Sequence, residues 1–199
     1  MDETVVTPGG KIRESGMPQE EVWSSFFNVR QILNRMQIDS SVVDAADFAC
    51  GYGTFTIPVA QRIAGTIFAV DIEPKMTQTV EKMARRLRLA NVRPIVRDLM
   101  CEGSSLEDES VDYVMLFNIL HSEHPLILLR EAFRVLKQNG MVGIIHWIHD
   151  GRTPRGPPLE MRPTVDQCAE WCLESSFAKG SAVSMDLKPY HFGLIMRKP

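Results

Sequence analysis

The chain has 199 residues, which favours one domain, and a chain of this size buries roughly 70 % of its unfolded surface, so one core suffices. With 44 % hydrophobic and 24 % charged residues the composition is that of a soluble globular protein, neither disordered nor membrane-spanning. A formal charge of −3 argues against a surface built for bulk nucleic acid or anionic lipid. The acidic start (Met1-Asp2-Glu3) lacks the basic region of a signal peptide, so a cytoplasmic setting is expected. Four scattered cysteines (Cys50, Cys101, Cys168, Cys172) do not make a disulfide framework.

Residues 1–17, with three glycines, a proline and no apolar period, read as a mobile tail. Residues 18–199 read as a single domain, with an N-terminal helix over 18–40 and an α/β core over 41–199. Pro18 opens the helix, and Val22, Phe26, Val29, Leu33 and Met36 recur at its spacing over about five turns. Trp23, Phe26 and Phe27 belong either to the core or to an apolar cover over a substrate.

From residue 42 strands and helices alternate. Strands are expected at 42–49, 66–70, 92–97, 111–117 and 141–147. Between them fall a helix carrying Phe55, Val59 and Ile63, one opened by Pro74, and one opened by Pro125 and stopped by Asn139-Gly140. In the Pro74 helix Met76, Val80, Met83 and Leu87 point inward, while Lys82, Arg85, Arg86 and Arg88 form a solvated stripe. A Pro/Gly/Arg-rich loop from His149 to Pro163 leads to a capping box, Thr164 with Gln167, and another helix. Two strands, 182–187 and 191–196, close the chain as a hairpin around Lys188-Pro189-Tyr190. The order implies an α/β fold with a seven-stranded, mostly parallel, doubly wound sheet and an antiparallel C-terminal edge. Ligands of such sheets sit beyond the carboxyl ends of the strands.

The first strand ends Asp47-Phe48-Ala49 and runs through Cys50-Gly51-Tyr52-Gly53-Thr54 into a helix. Glycines at 51 and 53 permit a tight turn and close approach of a ligand. Asp71 ends the second strand about twenty residues on, where a carboxylate can hold both hydroxyls of a ribose. A dinucleotide site calls for a third glycine at the helix start, but Thr54, Phe55 and Thr56 stand there, and no Walker-type lysine follows. The loop suits instead an adenosine ligand with an amino-acid tail, whose ammonium needs carbonyls and a carboxylate such as Asp47.

These motifs resemble those of the class I S-adenosylmethionine-dependent methyltransferases, in particular the ubiquinone/menaquinone-biosynthesis and other small-molecule methyltransferases. The resemblance spans about residues 40–199, although Ala49 stands where the first glycine of the family's loop often lies. It implies a Rossmann-like fold and S-adenosyl-L-methionine as cofactor. Val70-Asp71-Ile72 resembles the second motif, which implies that Asp71 binds the ribose diol and Ile72 packs on adenine. Arg97-Asp98-Leu99 resembles the third, with Asp98 accepting from the adenine amine and the Leu99 amide facing the ring. In the stretch from Asp112 to His121, Asn118 borders the methionine moiety. The implied cofactor contacts are Asp47, Cys50, Gly51, Gly53, Asp71, Ile72, Met76, Asp98, Leu99, Asn118 and His121.

The expected reaction is an in-line displacement that transfers a methyl group to a small-molecule acceptor, where positioning supplies most of the catalysis. A base helps only when the nucleophile has a proton to lose. The catalytic candidates are His146, Tyr190, His191 and Arg155, at or beside the mouth of the sheet. The pairs His121/His124 and His146/His149 lack the further ligands of a metal site, so none is assigned. Cys168 and Cys172, at i and i+4, suit apolar packing better than thiol chemistry. The alternative is a non-catalytic scaffold or sensor that holds the same cofactor; a nicotinamide oxidoreductase is disfavoured by the missing glycine. No nucleic-acid or membrane partner is expected, and the chain is read as a monomer or homodimer.

Overall fold

The computed structural model describes residues 18–199; the tail expected over 1–17 lies outside them. Seven strands form one sheet in the order β3-β2-β1-β4-β5-β7-β6. They are β1 (Ala45–Phe48), β2 (Ile67–Asp71), β3 (Val92–Val96), β4 (Val111–Phe117), β5 (Leu136–Trp147), β6 (Val183–Leu187) and β7 (His191–Arg197). The first five are mutually parallel, and β7 inserts antiparallel between β5 and β6. The expected seven-stranded sheet with an antiparallel edge is therefore present.

Helices α1 (Glu20–Ser24), α2 (Val29–Arg35), α3 (Thr56–Ala60) and α4 (Pro74–Arg86) cover one face; α5 (Pro125–Val135) and α6 (Val165–Glu174) cover the other. Each face has its own core. One gathers Leu33, Met36, Ile57 and Val80 over Tyr113 and Met115; the other gathers Leu128, Ala132, Cys168 and Cys172 over Val114 and Ile144. Cys168 and Cys172 are fully buried, and burial pushes both thiols upward, as packing residues require. Among the described residues no helix is long and apolar enough to cross a membrane.

Several boundaries differ from the sequence expectation, each for a reason visible in the hydrogen bonds or the packing. The single N-terminal helix is two. Ser24 and Ser25 hydroxyls donate back to the Glu21 and Val22 carbonyls, and Asn28 caps a fresh start by accepting from the Gln31 amide. The turn between them sends Phe27 into the core, against Phe55. Strand β1 starts three residues late because side chains take over its first bonds: Asp112 accepts from the Val43 and Asp44 amides, and Asp44 from the Thr66 amide. Helix α4 is rotated from the expected face; it buries Thr77, Val80 and Ala84, while Leu87 at its end is 41 % exposed. Helix α5 gives way at once to β5, with Asn139 at φ +63° inside an irregular start of that strand. Thr164 and Gln167 do form the capping box of α6.

Candidate functional site

Parallel pairing brings the carboxyl ends of β1, β2, β4 and β5 to one edge. The loop after β1 carries three consecutive left-handed positions at alternate residues: Ala49 at φ +61°, Gly51 at +51° and Gly53 at +82°. Glycine enters this region freely and alanine does so at a cost of about 1 kcal/mol or more, so the backbone path is kept even where the side chain disfavours it. A Cβ on Gly53 would meet Val80 at 2.9 Å, so this glycine also lets α4 close on the loop. The Gly51 amide donates to Asp71 Oδ2 at 2.9 Å, while Oδ1 of the same carboxylate accepts from the Glu73 amide at 2.9 Å. Asp71 thus ties the end of β2 to the glycine loop. Burial raises its pKa against these stabilising bonds.

Asp47, in β1, is 3 % exposed and accepts from Thr56 Oγ1 at 2.6 Å. Desolvation pushes its carboxyl up to about 7, the Thr56 bond opposing and the nearby Asp71 charge adding. Cys50 Sγ is buried beside both acids, and burial first, then those charges, pushes the thiol well above its usual range. A counter-charge at this place would favour the ionised carboxylate.

Further along the edge Ile72 is 37 % exposed and Met76 half-buried, an apolar shelf open to a ligand. Asp98 turns its Oδ1 onto the Met100 and Cys101 amides, and Leu99 is buried. Asn118, at φ +58° just after β4, is anchored by its amide to the Ile145 carbonyl at 2.7 Å. Its side-chain Oδ1 and Nδ2 are both buried without a partner. A buried amide left this way costs a few kcal/mol, so it calls for a ligand offering a donor and an acceptor together.

The catalytic candidates separate. His146 is fully buried on the α5–α6 face; its Nε2 lies 3.3 Å from His121 Nδ1 and its Nδ1 3.4 Å from the Trp147 carbonyl. His191 points to the opposite face, its ring 4.6 Å from Phe27 and 4.3 Å from Trp147, with Nε2 buried and unpartnered. Desolvation drives both imidazoles down to about 3, so both are neutral. Tyr190 packs edge-on to Phe26 at 6.1 Å beside the same aromatic group. Arg155 is exposed; the structure gives its carbonyl, not its side chain, a part in the loop.

One residue that sequence reasoning passed over, Arg162, orders a long stretch of the rim. The buried Arg162 donates to the carbonyls of Ile148, Asp150, Arg155 and Pro157 and to Thr153 Oγ1, which orders the whole β5–α6 loop. Its contribution is invisible in sequence because all its partners but the Thr153 hydroxyl are backbone carbonyls. Phe55 and Phe117 meet edge to face at 4.9 Å and, with Phe27, wall the edge on the α1–α4 side.

Residues 45–140 match the family described as a methyltransferase domain. Among curated proteins the chain is 31 % identical over 123 residues to an uncharacterized methyltransferase-like protein of Schizosaccharomyces pombe, covering 62 % of this chain and 45 % of that one. It is 29 % identical over 108 residues to the demethylmenaquinone methyltransferase of Lactobacillus johnsonii, covering 51 % and 42 %. The matched segments thus span less than half the length of these relatives. Among solved structures, a SAM-dependent methyltransferase from Aquifex aeolicus superposes with a TM-score of 0.76 at 21 % identity, covering 87 % of this chain and 91 % of that one, a likeness of fold. With the glycine loop, the acid at the end of β2 and this strand order, residues 45–140 match a methyltransferase domain, and the chain shares the fold of solved S-adenosylmethionine-dependent methyltransferases.

Proposed function

We propose that the chain binds S-adenosyl-L-methionine along the carboxyl ends of β1 to β4 and transfers its methyl group to a small-molecule acceptor. The observation that carries the binding is the Asn118 amide, buried with both polar atoms unpartnered, at the end of β4, the strand that pairs with β1 beneath the glycine loop. An amino-acid tail brings an ammonium and a carboxylate, the donor and acceptor this amide lacks. Asp47, in the same region, gains a counter-ion for a carboxylate that burial otherwise neutralises.

In this assignment Asp71 receives the ribose hydroxyls with lone pairs left over from its two amide bonds. Asp98 accepts the adenine amine, the Leu99 amide faces the ring, and Ile72 and Met76 supply an apolar platform. Gly51, Gly53 and Cys50 keep the loop close to the ligand. The bound cofactor supplies an electrophilic methyl on a sulfonium, so the protein has mainly to align the acceptor and keep water out. Phe27, Phe55, Phe117 and Trp147 give the edge the apolar walls such a step needs. The acidic chain with unbridged cysteines fits a reducing, cytoplasmic setting and a small acceptor rather than a nucleic acid.

Calorimetric titration with S-adenosylhomocysteine, with NADH in parallel, tests the reading. Micromolar binding of the first alone, about −8 kcal/mol, is the expected result. Binding of NADH, or of neither ligand by folded protein, would overturn it.

A further inference from the structure

Helix α4 and the edge strand β3 carry a charge for which methyl transfer has no use. Residues 73–97 hold seven lysines and arginines against two glutamates, a balance of +5 within a chain of formal charge −3. Lys82, Arg85, Arg86, Arg88 and Arg93 are all exposed. Arg85 pairs with Glu81 at 2.7 Å, and Arg93 turns onto the Ala90 and Val92 carbonyls. Lys82, Arg86 and Arg88 form no ion pair among the described residues.

The local structure holds these cations against its own preferences. Lys82 stands three and four residues before Arg85 and Arg86, where like charges on a helix repel. The negative end of the α4 dipole offsets part of that repulsion in the last turn. Arg88 comes after the cap residue Leu87, at φ +57°, in the position where glycine is usual. An arginine kept at a left-handed position points to a use for its side chain. Two apolar side chains lie along the same edge: Leu87, 41 % exposed between Arg86 and Arg88, and Val96, 50 % exposed on β3.

Strand addition does not suit this edge. Asn91 accepts from the Ile67 amide and Arg97 donates to the Asp71 carbonyl, so the even-numbered residues of β3 face away from β2. Pro94 falls in the middle of that outer row and has no N–H, so an incoming strand would miss a rung. Recognition falls to the side chains.

We propose that the end of α4 and the β3 edge dock an acidic segment of a partner protein, with its carboxylates on Lys82, Arg86 and Arg88 and an apolar side chain on Leu87. The planar fork of arginine takes a carboxylate through two parallel bonds, and arginine is enriched at protein interfaces where lysine is depleted. A single-stranded nucleic acid fits less well, because no aromatic residue between 73 and 97 offers a base a face to stack on. Helix α4 runs back from the end of β2 to the start of β3, so its last turn lies at the opposite end of the sheet from the glycine loop. A partner bound there leaves the mouth open.

The probe is a short glutamate-rich peptide carrying leucines, with a counterpart in which serine replaces each leucine. Each is titrated into isotope-labelled full-length protein and followed by amide NMR shifts. The shifts are expected to be confined to residues 82–97 and to fade with added salt, with the leucine peptide binding about tenfold more tightly than its counterpart. Arg86→Glu combined with Arg88→Glu is expected to weaken binding about tenfold or more, and Leu87→Ser to erase the difference between the peptides. Shifts spread over other faces, or binding unmoved by the charge reversal, would overturn the proposal. Tighter binding of poly(U) RNA or of phosphatidylserine vesicles at the same residues would overturn it too. A wild-type dimer in sedimentation that the charge reversal splits would do the same, by making a second copy the occupant. Should the double variant not fold, Lys82→Glu and Leu87→Ser decide. Titration of the same samples with S-adenosylhomocysteine reports on the cofactor alone, and its affinity is expected to be unchanged by the substitutions and by the peptide.

Discussion

Asp71 and Gly51 are joined by a 2.9 Å hydrogen bond from the glycine amide to the carboxylate, across two strands that run side by side. The bond makes one acid serve twice: it sets the path of the glycine loop, and it faces the place assigned to the ribose.

Replacement of Asp71 by Ala removes both contributions. Loss of charge-assisted bonds of this kind costs roughly 1.5–3 kcal/mol, so affinity for S-adenosylhomocysteine is expected to fall about 10- to 150-fold. Calorimetry on the variant measures this. Wild-type affinity would remove Asp71 from the ligand.

Asp47 predicts a pH dependence of the ligand-free protein. Its carboxyl is pushed up to about 7, above the unfolded value near 4, so the folded state holds a proton that the unfolded state has lost. The stability it contributes is complete below pH 4 and is lost as pH rises through 7. Asp47→Asn cannot lose that proton; its unfolding free energy relative to wild type is therefore expected to climb between pH 4 and 7, by up to roughly 1.4 kcal/mol per pH unit. Urea unfolding at intervals across that range checks the slope. The same variant is expected to bind S-adenosylhomocysteine more weakly, because the tail ammonium loses its carboxylate.

His191 predicts the opposite sign. Its imidazole, sandwiched by Phe27 and Trp147, is pushed down to about 3, so the unfolded chain takes up a proton below about 6.5 that the folded chain refuses. This contribution is complete above pH 6.5 and is lost as pH falls toward 3. His191→Phe removes it together with the unpartnered Nε2. The variant's advantage over wild type is expected to be larger at pH 5 than at pH 8, by about 2 kcal/mol at most. A variant that is more stable yet loses methyl transfer would mark His191 as a functional group kept at the expense of stability.

Local signals in the sequence determined the elements whose causes are local. Strand β4 runs from Val111 to Phe117 as its apolar pattern demands, Pro74 and Pro125 stand at the starts of α4 and α5, and Thr164 with Gln167 caps α6. The glycine loop and Asp71 were legible because spacing along the chain sets both the turn and its distance from the acid. Tertiary structure alone decided what depends on neighbours remote in sequence. The N-terminal segment breaks in two where Phe27 turns into the core against Phe55 and His191, partners that lie far along the chain. Arg162 finds its partners in backbone carbonyls of its own loop, which no pattern of side chains announces. His121 and His146 meet across 25 residues because β4 and β5 pair in parallel, so their carboxyl ends coincide. Spacing could place each histidine near the mouth; only the strand pairing brings the two buried rings together.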